Sequence, residues 1–458
     1  MTGPSTGPSR RSAYWCERAW LGGPEVTEDV LVEIEGDRIT GVTVGAGGTP
    51  PDARVLRGLV LPGLANCHSH AFHRALRGRT QRERGTFWTW RDQMYAVAGR
   101  LDPGTYFCLA RATYTEMALA GITAVGEFHY VHHDPSGAAY SAPNAMGEAL
   151  IAAAREVGIR IALLDTCYLA SGFGRPASGV QIRFSDGSSE GWAARVEGLA
   201  GEYSSARDVV VGAAVHSVRA VPRDQIPTIA KWAVDHQAPL HVHVSEQIAE
   251  NAACLEAHGV TPTQLLADAG VLSDRCSAVH VTHLTESDLA LLGQSRTNAD
   301  LCPTTERDLA DGIGRSLALH EAGCPLTLGS DSHAVIDLFE EMRAVELHER
   351  LSTRERGHWQ AASLLEAATG AGQRSLGFGD AGVIVAGARA DLIALDVESV
   401  RTAGTGSGVE TAVFAATAAD VTDVVSGGVH IVEDREHVAF PRVARDLRRS
   451  IQRVVGES

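Results

Sequence analysis

The stretch Val60-Leu-Pro-Gly-Leu-Ala-Asn-Cys-His-Ser-His-Ala-Phe-His-Arg74 decides the reading of this chain. An apolar run stops at Asn66, and two imidazoles follow one residue apart, His68 and His70. Residues i and i+2 of an extended backbone point to the same side. Two neutral imidazoles on one side form a natural chelate for a zinc-like ion. With 19 His in 458 residues, chance alone supplies on the order of one His-x-His per chain. Position is what gives the pair meaning: it stands at the C-terminal end of a buried-type strand, where α/β barrels place their chemistry.

Working outward, apolar runs alternate with helix-like stretches. The strand-like runs are Val60 to Cys67, Ile122 to Phe128, Arg160 to Asp165, Val209 to Val215, Pro239 to His243, Ser277 to His280, Ala299 to Cys302 and Leu326 to Asp331. Thr105 to Ala120, Pro143 to Val157 and Asp224 to Asp235 are among the helical stretches between them. Eight strands with helical crossovers predict an α/β fold, a right-handed (β/α)8 TIM-like barrel, over residues 60–382. Before it, Val30 to Val44 alternates about Glu35-Gly-Asp-Arg38 as a hairpin. After it, Gly382 to Asp396 reads as a strand pair, and Val421 to Glu433 as a hairpin with a Ser-Gly-Gly turn. Residues 13–59 and 383–441 are therefore expected to join as a small β-sandwich built from both chain ends. Residues 1–12, rich in Gly, Pro and Ser, read as a disordered tail, and 442–458 as a basic-faced terminal helix.

Hydrophobic residues make up 44% of the chain and charged residues 21%, as in soluble globular proteins. The net charge of -16 speaks against nucleic-acid and anionic-membrane surfaces, which need basic stripes. No segment reaches the roughly 18 apolar residues of a membrane helix. Eight scattered Cys without a Cys-x-x-Cys suit a reduced, cytoplasmic setting. The expected partners are a small anionic substrate and a second copy of the chain in a homodimer.

Ionisable residues mark strand end after strand end. His243, closing strand five in His241-Val-His243, is the best third ligand, and His241 reads as a packed, hydrogen-bonded barrel residue. Asp331 in Gly329-Ser-Asp-Ser-His333 is either the fourth ligand or a helix N-cap. Beside three His, the ligand reading wins. Three His and one Asp leave a position open for water, as in catalytic zinc sites. The only Lys, Lys231, lies on a helix, which argues against a Lys-bridged second metal and against Schiff-base chemistry. Glu246, three residues past His243, is placed to shuttle a proton to a departing nitrogen; the bland alternative is a surface Glu opening a helix. His280 ends strand six as a base or polarising group, and His283 reads as structural.

Together, Pro62-Gly63, His68-Ser-His70, His243-Val-Ser-Glu246, His280, Gly329-Ser-Asp331 and Gly387-Ala-Arg-Ala-Asp-Leu-Ile393 resemble the mononuclear branch of the amidohydrolase superfamily. Five stretches are further similar to its formimidoylglutamate deiminase family: His68-Ser-His-Ala-Phe72, Phe87-Trp-Thr-Trp-Arg91, Glu127-Phe-His-Tyr-Val-His-His133, His216-Ser-Val-Arg-Ala-Val221 and Gly329-Ser-Asp-Ser-His333. The resemblance implies one zinc ion, with iron the other candidate, on His68, His70, His243 and Asp331. It implies proton transfer by Glu246, His280 and Asp331, and substrate contacts from His73, Arg91, Tyr130, His216 and Arg219. The implied reaction is hydrolysis of N-formimino-L-glutamate to N-formyl-L-glutamate and ammonia in histidine degradation. Two Arg suit a substrate with two carboxylates, although Arg91, after two Trp, has the alternative of stacking on an aromatic ring. His73 stands where the family pattern has Gln, which bears on substrate contact and its pH dependence. The rival readings are a mononuclear deaminase of a purine, pyrimidine or triazine ring, and a metal-free barrel serving as a binding protein.

Overall fold

The computed structural model describes residues 11–81, 85, 87–406 and 408–456, and the side chains of residues 87 and 88 lie outside the description. Eight parallel strands follow one another in chain order around a barrel: Leu64–Ser69, Ile122–His129, Arg160–Cys167, Val209–Val215, Leu240–Val244, Cys276–His280, Asn298–Leu301 and Leu326–Leu328. Neighbouring strands pair in parallel register. The ring closes between the last strand and the first, where Ser69 bridges Asp331 and the Asp331 N–H donates to the His68 carbonyl at 2.9 Å.

Seven of these strands carry the expected segments. The first is displaced. Val60 to Cys67 is not one strand: Val60 to Pro62 ends a strand of the small sheet, Arg54–Pro62, and the barrel begins at Leu64. The break falls at Gly63, where any Cβ would collide with the Thr123 side chain. A continuous apolar run thus crosses between two sheets, and hydrophobicity cannot mark the crossing because both sides are buried.

Crossover helices are fixed by local chemistry. Helix Pro103–Leu119 opens on a reciprocal capping box between Asp102 and Thr105. Helix Ala145–Val157 stops at Gly158, with φ 88°. Helix Ile226–Asp235 completes the three expected helical stretches.

Both chain ends pair into one continuous eight-stranded sheet. Arg54–Pro62 lies at its centre, parallel to Arg11–Ala19 and antiparallel to Leu392–Leu395. The hairpins Thr27–Glu35/Arg38–Val44 and Val421–Ser426/Val429–Glu433 extend it on either side. Two expectations need correction. Arg11 and Ser12, assigned to a disordered tail, open a strand, while residues 1–10 lie outside the described residues. The run from Gly382 to Asp396 gives one strand, not a pair. Gly382 and Gly387 take φ of 81° and 91°, and Val383 and Val385 are exposed. A buried Arg160–Asp391 ion pair, with contacts of 3.0 and 2.5 Å, ties this sheet to the barrel. The terminal helix Val443–Val455 packs on Pro103–Leu119, where the Ser450 hydroxyl donates to the Cys108 carbonyl. All eight Cys are free thiols, and no described helix is long and apolar enough to cross a membrane.

Candidate active site

At the C-terminal mouth of the barrel, strands one, five and eight bring His68, His70, His243 and Asp331 together. Their ligand atoms all lie within 4.8 Å of one another, and every one of the four residues is buried. Nε2 of His68 is 3.0 Å from Nε2 of His243 and 3.4 Å from Asp331 Oδ1. His70 Nε2 is 3.3 Å from the same oxygen. Donors about 2.0–2.2 Å from a tetrahedral ion stand about 3.3 Å apart, so these spacings fit one ion.

Hydrogen bonding around the cluster points the same way. Nδ1–H of His70 donates to the Phe128 carbonyl, and Nδ1–H of His243 to the His216 carbonyl, both at 2.9 Å. Their Nε2 lone pairs therefore face the centre of the cluster. Burial holds His68 below its ordinary pKa, and His70 and His243 well below it. Burial pushes the Asp331 carboxyl up, but the imidazoles of His68, His280 and His70 outweigh it and hold the group well below the usual carboxylate range. Neutral imidazoles and an ionised carboxylate are the states a divalent cation requires.

The backbone at this mouth is strained. Ser245, His280, Val281, Asp331 and His333 all take positive φ, between 39° and 71°, as residues at functional sites often do. Gly329 permits the closure, since a Cβ there would sit 2.6 Å from His68 Cβ and 2.8 Å from its amide nitrogen. Behind the ligands runs a buried polar chain. The Asn66 amide bonds both the hydroxyl and the N–H of Ser330, and Ser330 meets His333. His333 meets Ser69, whose hydroxyl donates to Glu127. Glu127 in turn accepts the Ala71 N–H at 2.7 Å, which locks the turn after His70.

Beside the cluster sits His280. Its Nε2 is 3.8 Å from Asp331 and 3.9 Å from Glu246. Burial disfavours its charged form, yet Glu246, Glu306 and Asp331 raise its pKa well above the ordinary value. Burial pushes the Glu246 carboxyl up to about 7 against the pull of His280.

One pocket opens over this constellation. It is lined by His70, His73, His243, Glu246, His280 and Asp331, and also by Arg91, Tyr130, His216 and Arg219. All the residues picked from sequence are thus in or around one cavity, with His68 just beneath. Trp90, Met94, Tyr95, Tyr168 and Leu309 complete its wall. Arg91 stacks over Tyr95, 5.4 Å from the ring centroid, while still facing the pocket. Arg219 lies 3.7 Å from the buried Glu250. His73 Nε2 meets the Tyr130 hydroxyl at 3.0 Å. Burial lowers the His73 pKa to about 3, which favours the neutral ring at this position. Of the stretch Glu127 to His133, Tyr130 alone lines the pocket. His132 and His133 join a buried group with Asp165, Asp186 and Arg195. His241 is fully buried beside the Ser375 backbone, as a packed barrel residue, although neither ring nitrogen makes a well-formed hydrogen bond. His283 is structural, bonded to the Asp311 carbonyl. Glu306, Glu127 and Asn66 were not singled out from the sequence. Only Glu306 carried a usable signal, since it follows the seventh strand end at Cys302 by four residues.

Comparison with known proteins agrees with this geometry. The amidohydrolase family pattern matches residues 59–431. The chain is 35% identical to a formimidoylglutamate deiminase of Pseudomonas aeruginosa, over 95% of this chain and 97% of that protein. It is 28% identical to a 5-methylthioadenosine/S-adenosylhomocysteine deaminase of Halobacterium salinarum, over 91% of each. The crystal structure of an amidohydrolase from Brucella melitensis superposes with a TM-score of 0.89 at 31% identity, covering 97% of this chain and 99% of that one. Fold, ligand cluster and sequence match converge: the chain belongs to the amidohydrolase family and is a hydrolase acting on C–N bonds.

Proposed function

We propose that this protein hydrolyses N-formimino-L-glutamate to N-formyl-L-glutamate and ammonia, using one zinc ion held by His68, His70, His243 and Asp331. The observation that carries the reading is the placing of two guanidinium groups, Arg91 and Arg219, in the same pocket wall as the His/Asp cluster. A linear amidine bearing two carboxylates needs such a wall, because guanidinium forks bind carboxylates through paired hydrogen bonds. The formimidoylglutamate deiminase relative supports the same choice.

When bound, the ion supplies Lewis acidity and a water of lowered pKa. The chain's own groups supply the rest. Arg91 and Arg219 hold the carboxylates and so fix the formimino carbon beside the cluster. Asp331, held ionised, is within reach of the proton that hydration of the C=N carbon releases, and His280, 3.8 Å from it, is placed to relay that proton to the imino nitrogen. Glu246, its carboxyl pushed up to about 7, holds a proton near neutral pH and gives it to the departing nitrogen. Collapse of the adduct breaks the C–N bond, forms the formyl C=O and releases ammonia. The Tyr130 hydroxyl, linked to His73, and His216 complete the contacts.

A second reading has an observation in its favour. Trp90, Tyr95, Tyr130 and Tyr168 give the pocket aromatic walls, which a ring substrate would use, and deaminases of nucleoside-type compounds are among the relatives. Ammonia release by the zinc-loaded protein separates the two. N-formimino-L-glutamate should outpace 5-methylthioadenosine, guanine, cytosine and a triazine. Preference for any ring compound would overturn the first reading.

A further inference from the structure

Glu306 is a buried carboxylate outside the pocket wall. It stands on the short helix Pro303–Leu309 that follows the seventh barrel strand, and it is 3% exposed. Its Oε1 accepts the Cys302 backbone N–H at 2.9 Å, which fixes the carboxylate in place. The same oxygen lies 3.5 Å from Nδ1 of His280. That buried nitrogen makes no well-formed hydrogen bond among the described residues, and the Glu306 carboxylate 3.5 Å away is the acceptor set beside it. The opposite nitrogen, Nε2, faces Glu246 and Asp331 in the pocket. The two ring nitrogens therefore address two different sets of carboxylates, one behind the ring and one at the reaction centre.

The backbone gives this arrangement meaning. His280 and Val281 hold φ of 71° and 45°. A β-branched residue such as Val281 does so only where its surroundings over-determine the turn. The ring is stacked on one face against His243, 5.6 Å between centroids at 17°, and its Nδ1 edge faces Glu306. In histidine–carboxylate pairs the carboxylate fixes which nitrogen carries the proton and where the other points.

We propose that Glu306 is a positioning residue of the active site: it accepts Nδ1–H of His280 and thereby presents Nε2 of that ring to the pocket. Glu306 touches neither the pocket nor the metal cluster, so it acts only through His280. The turnover part of the test rests on the deiminase reading, and the spectroscopic part does not.

The test uses two substitutions in the zinc-loaded protein. Glu306→Met keeps length but accepts no hydrogen bond, whereas Glu306→Gln retains an acceptor oxygen. Proton NMR of the wild-type protein should show an exchangeable imidazole proton on Nδ1 of His280, identified by its loss in His280→Asn. That signal should vanish in Glu306→Met and persist in Glu306→Gln. The kcat on N-formimino-L-glutamate should fall about 10–100-fold in Glu306→Met, the range for groups that orient a functional side chain. KM and zinc content should stay within twofold, and Glu306→Gln should recover most of kcat. A signal that survives in Glu306→Met, or a kcat within threefold of wild type, would overturn the proposal. So would parallel losses of zinc, KM and kcat, which mean a packing role only. If Glu306→Met does not fold, the wild-type spectrum decides, and absence of a slowly exchanging His280 Nδ1 proton overturns the proposal. If the signal behaves as expected but no formimino compound is turned over, the positioning role stands and the substrate assignment falls.

Discussion

Replacing Arg219 by Ala probes the substrate assignment and the packing of the pocket together. The side chain is 17% exposed and lies 3.7 Å from Glu250, whose side chain is 1% exposed. Neither Glu250 oxygen has a well-formed hydrogen bond, so Arg219 is the cation that compensates it. Loss of a charge-assisted hydrogen bond to a substrate carboxylate costs about 1.5–3 kcal/mol. At 1.36 kcal/mol per tenfold, kcat/KM on N-formimino-L-glutamate should fall about 10–150-fold. The loss should sit mainly in KM, since the carboxylate is bound equally before and during reaction. Stability should fall as well. A fully buried broken ion pair costs about 3–5 kcal/mol, but partial exposure and the 3.7 Å separation reduce this to about 1–3 kcal/mol. Adding Glu250→Gln to Arg219→Ala should restore most of the lost stability without restoring KM. Steady-state kinetics and thermal melts of the wild type and the two variants read both effects. An unchanged kcat/KM, or a loss confined to kcat, would refute the carboxylate-binding role. A stable Arg219→Ala protein that gains nothing from Glu250→Gln would refute the pairing.

Other expectations follow from the same geometry. Glu246→Gln should retain zinc but lower kcat by about 100-fold or more, the scale of a lost general acid; near-normal turnover would remove Glu246 from proton transfer. Gly329→Ala forces a Cβ to within 2.6 Å of His68, and overpacking of this kind costs about 1–3 kcal/mol; zinc affinity measured against a chelator should drop with it. Asp186 is held far below the usual carboxylate range because His133 and Arg195 outweigh burial. A depressed folded pKa gives stability that is present above the unfolded value of about 3.9 and lost as pH falls below it. The Tm of chelator-treated protein should therefore fall steeply below about pH 4, and Asp186→Asn should flatten that slope. Zinc removal should abolish ammonia release reversibly, with about one equivalent per chain restoring it.

Much of the site could be read from sequence because barrel strands end where chemistry begins, and His68, His70, His243 and Asp331 each mark such an end. Arg91 and Arg219 were visible only through family resemblance, since a lone Arg on a helix or loop carries no periodic signal. The crossing at Gly63 was hidden by an apolar run continuous through two sheets. Gly382 to Asp396 alternated like a hairpin, but its glycines bend the chain away from pairing. Glu127 and Asn66 act on the cluster from behind, through contacts between strands far apart in sequence. A local pattern cannot reveal such contacts, because they depend on barrel closure between residues near 66 and those near 330.

The most direct test of the account is ammonia release by the protein carrying one zinc per chain, with N-formimino-L-glutamate set against 5-methylthioadenosine and S-adenosylhomocysteine. The account predicts turnover of N-formimino-L-glutamate with stoichiometric N-formyl-L-glutamate, and negligible release from the two nucleosides. Efficient deamination of either nucleoside, with none from the formimino compound, would contradict it.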